Sequence, residues 1–307
     1  KVERRIRQLF EEDKPDIAVL ADYPGFNLRI AHLADEYRIP VLYYISPQFW
    51  AWKHERVQKL KASVRHTACI LPFKEEMLNI HNVTCSYVGH PIAEEIEHKM
   101  DKDYFAKFFH LNPDKKWLGF FPGSRNSEIK KMLPVFLNAA RKWDPKEYEI
   151  LISKSHSVNH AMFMEMVSGT GMGNLNIIDG YTYDMMRHCE VLVCTSGTVT
   201  LEAGYVGTPT VICYKANPIS YLIGKHLIRV SHIGLPNIIL DNDVLPELVQ
   251  HAANPDMINE KIRDMQIGSP RRDVVRLELK KLRAILGEKK PSVEVPKIID
   301  HLLKTYG

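Results

Sequence analysis

Strand-length apolar runs alternate with helix-patterned stretches almost from end to end of this chain, and no other feature restricts its fold so far. Residues 16–21 (DIAVLA) predict a buried strand, 28–37 a helix and 41–45 a second strand, with 69–71 and 86–88 continuing the series. Strands separated by helices cannot close as tight hairpins, so they run parallel and carry their helices on the sheet faces. A second series follows, with strand candidates at 117–121, 149–153, 175–178, 191–194 and 210–214. The two series part at Asn112-Pro113-Asp114-Lys115-Lys116, a polar, turn-rich run suited to a linker. A length of 307 residues accommodates two cores. The expectation is an α/β chain of two Rossmann-like domains, 1–112 and 113–290, ending in a helix over 291–307. From residue 245 onward the pattern reads as helical. The opening residues, with Val2, Ile6, Leu9 and Phe10 on one stripe, read as the middle of an amphipathic helix, so further chain is expected upstream of Lys1.

Charge and cysteine usage exclude several classes. Lys plus Arg number 41 against 37 Asp plus Glu, a balance of +4 that is too mild for a nucleic-acid footprint. No apolar run approaches the ~20 residues that span a bilayer, and no signal-peptide pattern precedes the first helix. The chain is therefore expected to touch a membrane rather than cross it. Five cysteines form no CxxC pair, which argues against a zinc ribbon or a disulfide framework and fits a reducing compartment. The 14 histidines show no metal-ligand spacing.

Two segments carry the strongest local chemistry. Phe121-Pro122-Gly123-Ser124-Arg125 ends a strand and opens a helix, which leaves backbone N–H groups at the positive end of a helix dipole with a guanidinium beside them. That suits a diphosphate; a tight turn with a capping serine and a solvated arginine is the plainer alternative. Ser196-Gly197-Thr198 delivers small residues from a second strand into a second helix start, with Glu202 one turn inside and able to reach ribose hydroxyls. An ordinary capped helix fits the same residues.

In the first half, Asp22 follows a buried strand, where α/β sheets place chemistry, although Asp before Tyr-Pro-Gly is also a good turn former. Phe49, Trp50 and Trp52 suit either a core or the lining of an acyl or sugar pocket. The basic run Lys53, Arg56, Lys59, Lys61 and Arg65 reads as a solvated helix face. Residues 219–230 form an amphipathic helix suited to core packing or to a membrane surface. Asp241-Asn242-Asp243 looks like a metal-binding DxD but lies away from any nucleotide-binding strand and reads as a turn. No Walker A or dinucleotide glycine spacing occurs.

Taken in order, PDIAVLADYPGFN, SPQFWAWK, LPF at 71–73, VGHP at 88–91, PGSR, SGTVTLE and LPN at 235–237 resemble the lipid-A-disaccharide synthase family, over residues 15–250 or so. The resemblance implies a GT-B glycosyltransferase fold, two Rossmann-like domains facing a cleft, with the first domain incomplete at its N-terminus and the C-terminal helix packing back on it. It implies an inverting, metal-independent hexosyl transfer without a cofactor. UDP-2,3-diacylglucosamine gives its sugar to the 6-hydroxyl of 2,3-diacylglucosamine 1-phosphate, forming a β-1,6 disaccharide and UDP.

By the family pattern Asp22 matches the essential carboxylate. Gly123, Ser124, Arg125, Ser196, Gly197, Thr198, Glu202 and Asn237 match the donor side, and Asn27, Phe49, Trp50, Trp52 and His90 the acceptor or acyl side. Gly25 stands where the family usually has a second carboxylate, and a glycine-rich loop is expected upstream. The implied setting is the cytoplasmic face of the inner membrane of a Gram-negative-type bacterium, with no nucleic-acid partner and with an oligomer left open. Two other readings share the residues: another UDP-N-acetylglucosamine enzyme of the same fold, an epimerase or a peptidoglycan transferase, and a noncatalytic UDP-binding fragment.

Overall fold

The computed structural model describes residues 1–47, 54–97, 99–215 and 232–306. Phe49, Trp50, Trp52 and Lys53, and the stretch 219–230, lie outside the described residues. In chain order the elements are α1 (Val2–Glu12), β1 (Ala18–Ala21), α2 (Pro24–Glu36), β2 (Val41–Tyr44), α3 (His54–Ser63), β3 (His66–Cys69), α4 (Pro72–Asn79), β4 (Cys85–Tyr87), α5 (Ile92–Glu95) and α6 (Lys102–Phe108). Then come β5 (Lys116–Phe121), α7 (Asn126–Ala140), β6 (Tyr148–Lys154), α8 (His160–Ser168), β7 (Leu175–Asp179), α9 (Thr182–His188), β8 (Val191–Thr195), α10 (Thr198–Val206) and β9 (Thr210–Tyr214). The last are α11 (Leu235–Leu240), β10 (Glu247–Val249), α12 (Pro255–Asp264), α13 (Pro270–Gly287) and α14 (Pro291–Tyr306).

The chain divides into two compact units; among the described residues the first comprises Lys1–Glu94 with Ile285–Gly307 and the second runs from Glu95 to Ala284. The first holds a four-stranded parallel sheet in the order β1-β2-β3-β4. Its strand pattern separates two apolar layers. Val41 and Tyr43 join Leu28, Ala31 and Leu33 of α2 and Val57 and Leu60 of α3, whereas Leu42 turns the other way to meet Ala68, Val88 and Leu302. Val295, Ile298 and Ile299 pack on that second layer, so α14 covers one face of this sheet and α2 and α3 the other. Helix α2 begins at Pro24, ahead of residue 28 where the periodicity begins, because proline fits the first helical position without losing a hydrogen bond. Val57, Leu60 and Val64 of the basic run are buried, and Lys59, Lys61 and Arg65 are exposed.

The second unit holds a six-stranded parallel sheet in the order β7-β6-β5-β8-β9-β10. The chain winds outward from the central β5 through β6 and β7, then returns to β8 and winds the other way. Such a sheet has its switch point between β5 and β8, and the crevice outside their carboxyl ends is where ligands of doubly wound folds bind. Both strands are apolar and buried apart from Lys116, as full coverage by helices demands.

Four features depart from the sequence reading, two of them in the first unit: β3 lies at 66–69 rather than 69–71, and β1, expected buried, is an edge strand with Val19 47% exposed. The polar run at 112–116 is a turn inside the second unit: Trp117 Nε1 donates to Asn112 O at 2.9 Å, and Phe105 of α6 is buried with its ring 5.9 Å from Trp117. Asp184 at the start of α9 accepts from the N–H groups of Lys99 and Met100 at 2.9 and 3.0 Å, which ties residues 95–112 to this unit. Residues 247–249 form the edge strand β10 rather than helix, paired to β9 with Leu248 opposite Cys213. A strand of three residues is too short to carry a periodicity, and its pairing is a long-range contact.

Candidate functional site

A cavity of about 660 Å³ opens at the carboxyl ends of β5, β6 and β8, and its wall includes Gly123, Ser124, Arg125, Ser196, Gly197, Thr198 and Glu202. The two helix starts singled out in the sequence thus meet at one site. They differ in their local state.

At the start of α7 the amides of Ser124 and Arg125 are occupied, while those of Asn126 and Ser127 have no hydrogen-bond partner among the described residues. Glu128 Oε2 accepts from the N–H groups of Ser124 and Arg125 at 3.0 and 3.2 Å, and its Oε1 takes the Arg125 guanidinium at 3.1 Å. The sequence reading left these amides free for an anion; the carboxylate one turn into the helix caps them instead, as acidic residues at that position do. Gly123 has φ +116°, and a Cβ there would lie 2.5 Å from Glu128 Oε2. Glycine is what lets the carboxylate close over the turn. The Arg125 side chain stays 79% exposed.

At the start of α10 the N–H groups of Gly197, Thr198 and Val199 have no hydrogen-bond partner among the described residues. Thr195 Oγ1, buried at the end of β8, is likewise without a partner among them. Ser196 Oγ donates to Ile233 O at 3.1 Å, fixing the turn. Burial pushes the Glu202 carboxyl above its ordinary range, and the charge of Glu95 adds to the effect.

A third loop, Ser153-Lys154-Ser155-His156-Ser157 at the end of β6, lines the same cavity and was not singled out in the sequence. The signal was available: a polar run directly after a buried strand. Ser157 Oγ donates to Ser124 O at 2.6 Å, which staples this loop to the α7 junction. Lys154 is 8% exposed and pairs with Asp179 at 2.7 Å, and His156 Nδ1 lies 3.1 Å from the same carboxylate. The Lys154 ammonium holds the Asp179 carboxyl below its usual range.

Asn237 is not in this cavity wall. It is fully buried, with Nδ2 donating to Leu245 O and Glu247 Oε1 at 2.8 Å and Oδ1 accepting from Leu245 N at 2.9 Å. Glu247 also accepts from the N–H groups of Ile233 and Gly234 at 2.8 and 2.9 Å. Asn237 and Glu247 therefore hold the turn on which Ser196 rests, and Glu247 is a residue that sequence reasoning missed. Asp243 pairs with His232 at 3.3 Å, and Asp241 closes α11 with φ 47°, so the DxD-like run is a helix end.

In the first unit Asp22 is exposed at the end of β1. Asp22 and Tyr23 have φ of 49° and 44°. Non-glycine residues in that region cost about 1–3 kcal/mol each, and such strain persists only where neighbours over-determine it. Here Tyr43 Oη donates to Asp22 O at 2.6 Å, and Asn27 Nδ2 bridges Ala21 O and Asp22 O at 2.9 Å. Asn27 is thus a clamp on the Asp22 turn. His90 is buried, its Nδ1 accepts from Ile92 N at 3.2 Å, and burial holds its imidazole down to about 4, so it is neutral at pH 7. Gly89 beside it, at φ +90°, allows an approach in which a Cβ would lie 2.0 Å from Lys289 O. Its role is to dock the C-terminal segment.

Among the described residues no cluster of three or more His, Cys, Asp and Glu is placed to hold a metal, and no helix is long and apolar enough to cross a membrane.

A family model described as lipid-A-disaccharide synthetase matches residues 1–291. Among curated proteins, a lipid-A-disaccharide synthase of Nitrosococcus oceani is 39% identical over 286 residues, covering 92% of this chain and 74% of that protein. One of Syntrophus aciditrophicus is 38% identical over 289 residues, covering 93% and 75%. Among solved structures, a UDP-GlcNAc 2-epimerase from Neisseria meningitidis bound to UDP-GlcNAc aligns with a TM-score of 0.63 at 13% identity, covering 99% of this chain and 80% of that one. Anabaena HepE in complex with UDP-glucose aligns at 0.59 and 13%, covering 99% and 82%. At such identities the likeness is one of fold.

Proposed function

This chain belongs to the lipid-A-disaccharide synthase family, and on that premise we propose that the 660 Å³ cavity of the second unit holds the UDP of a sugar donor while Asp22 of the first unit acts on the acceptor hydroxyl. The chain is a glycosyltransferase that forms the lipid A disaccharide from a UDP-sugar. The donor we assign is UDP-2,3-diacylglucosamine and the acceptor 2,3-diacylglucosamine 1-phosphate.

The observation that carries the donor half is the open amide set of Gly197, Thr198 and Val199 at the β5/β8 switch point, with Arg125 in the same wall. A departing UDP accumulates charge on its diphosphate, and fixed N–H dipoles with a guanidinium stabilise that charge without reorganising. In this reading Glu202, one turn into α10, accepts from the ribose hydroxyls. For the acceptor, the Asp22 carboxylate takes the proton of the 6-hydroxyl as its oxygen bonds to C1 of the donor sugar. The C1–O bond to the diphosphate breaks with its electron pair on UDP, which inverts the anomeric centre. Asn27 and Tyr43 hold the turn that presents Asp22.

Membrane association at the cytoplasmic face belongs to the same proposal, since acylated substrates reside in a bilayer. The epimerase reading draws on a likeness of fold alone, at 13% identity, and family membership does not favour it. The test is Asp22→Asn in a single-turnover assay with acylated and non-acylated donors. Turnover of the acylated donor should fall ~10²-fold or more while UDP affinity stays unchanged. Normal turnover removes Asp22 from the chemistry, and preference for non-acylated UDP-N-acetylglucosamine returns the epimerase reading.

A further inference from the structure

The second unit carries another charged concavity at the opposite edge of its sheet. Lys116 opens β5, Glu190 precedes β8 and Pro209 precedes β9, and all three line a groove of about 550 Å³. Because these strands are parallel, the groove lies at their amino ends and the nucleotide cavity at their carboxyl ends.

Six cationic side chains line it, Lys102, Lys115, Lys116, Arg187, Arg272 and Arg276, against the carboxylates of Asp114 and Glu190. The whole chain carries a formal charge of only +4, so the imbalance in this groove is a local concentration rather than a reflection of composition. Some of the cations are engaged: Lys115 pairs with Glu149 at 3.1 Å, and Lys102 donates to Pro113 O at 2.8 Å. Arg272 donates to Glu190 O and Met265 O at 2.7 and 3.0 Å, which fixes its guanidinium in the wall. Lys116, Arg187 and Arg276 are exposed and have no carboxylate partner among the described residues.

Glu190 offsets part of this charge from below, and its Oε2 is buried without a hydrogen-bond partner among the described residues. It is 5% exposed and spends Oε1 on the Ile267 N–H at 2.5 Å. Burial holds the Arg272 guanidinium below its ordinary range against the pull of Glu190 and Asp273, and the charge of Arg276 adds to the lowering. The lining still carries an excess of cations over the carboxylates of Asp114, Glu190 and the neighbouring Asp273, and an anion seated there offsets that excess.

We propose that this groove is a second anion site, separate from the nucleotide cavity, that takes the phosphate group of a phosphate monoester. Planar guanidinium forks on Arg187, Arg272 and Arg276 match phosphate oxygens, and the lysines add point charge. The phosphate belongs to a small soluble molecule or to the headgroup of an anionic lipid. Helix α6, which supplies Lys102, also exposes Tyr104 and Phe108 at 56% and 50%, which brings a lipid surface within reach as a source.

Calorimetric titration of inorganic phosphate into the full chain, with UDP in excess to fill the nucleotide cavity, tests the site, with R187E/R276E and the milder R187Q/R276Q in parallel. Both substituted arginines are exposed and outside the nucleotide cavity, so the melting temperature should stay close to wild type. The phosphate dissociation constant should rise at least tenfold in both groove variants. Wild-type affinity in the groove variants, or no phosphate binding by the wild type, overturns the proposal. Sedimentation with phosphatidylcholine vesicles, with and without phosphatidic acid, separates the sources. Retention that requires phosphatidic acid and is lost in R187E/R276E assigns a lipid headgroup; phosphate binding without retention assigns a soluble ligand.

Discussion

The junctions after β5 and β8 look alike in sequence, each a strand end of small residues running into a helix, yet they reach different electrostatic states. At the first, Glu128 folds back over Gly123 and takes the amides of Ser124 and Arg125. At the second, Gly197 has nothing within 4 Å of a would-be Cβ, and the amides of Gly197, Thr198 and Val199 stay unpaired among the described residues. The helix dipole points the same way in both, but one positive end is already partly offset by a side chain. A helix start becomes an anion site only when the chain supplies no carboxylate of its own. On this comparison the α10 junction carries the diphosphate through its backbone, and the α7 junction contributes through the Arg125 side chain.

Occupying the open junction should have the largest effect. Thr198→Asp places a carboxylate at the first position of α10, where it stabilises the helix by ~0.3–1 kcal/mol but repels a diphosphate. UDP affinity measured by calorimetry should fall ~10²-fold while the melting temperature holds or rises slightly, scaled by a like-charge repulsion of a few kcal/mol. Undiminished affinity would move the diphosphate away from α10. Next comes the side chain at the other junction. Arg125→Ala should weaken UDP ~10-fold, and Arg125→Lys nearly as much, because a lysine lacks the planar fork. A lysine variant with wild-type affinity would leave only point charge at that position.

Smaller still is the effect of unseating the cap. Gly123→Ala meets both a positive φ and the Glu128 carboxylate, so it should cost ~1–3 kcal/mol in chemical denaturation. Alanine at Gly197, where the space is open, should cost less. The smallest effect concerns Glu202, whose folded carboxyl titrates above its unfolded value. The folded state then holds that proton more tightly, so stability is lost as pH rises from the ordinary glutamate range through the folded value. Glu202→Gln removes this loss and should melt a few degrees higher than wild type at pH 8, with the gap closing near pH 4. An equal gap at both pH values would assign the change to packing.

In the first sheet β2 was legible because it is short, apolar and set between helices with clear stripes, whereas the strand expected at 69–71 lies at 66–69, where the residues HTAC are mixed polar and apolar. Val41 to Tyr44 alternate between two apolar layers, and that alternation is written in four consecutive residues. The two junctions were legible for a similar reason, since Gly and Ser at a strand end are local signals. Beyond that the reading weakened. It placed a boundary at residue 112, where the turn in fact serves a tryptophan of the same unit, and it took residues 247–249 for helix. It put Asn237 on the donor side, whereas the side chain is spent inside the protein on Leu245 and Glu247.

Periodicity, strand ends and turn residues act over a few positions, and the amino-acid sequence by itself settles them: two parallel α/β series, helix starts at 126 and 198, a turn at Asp22. The order of the six strands, which brings the loops after β5, β6 and β8 to one cavity, is a matter of pairing between residues tens of positions apart. So is the competition for each donor and acceptor. Whether an amide faces a ligand or a neighbouring carboxylate, and whether Asn237 lines a cavity or braces a turn, is decided by which polar group arrives first within about 3 Å once the chain has packed. Tertiary structure alone decides that, because a buried polar group must find a partner and the nearest one in space is seldom the nearest in sequence.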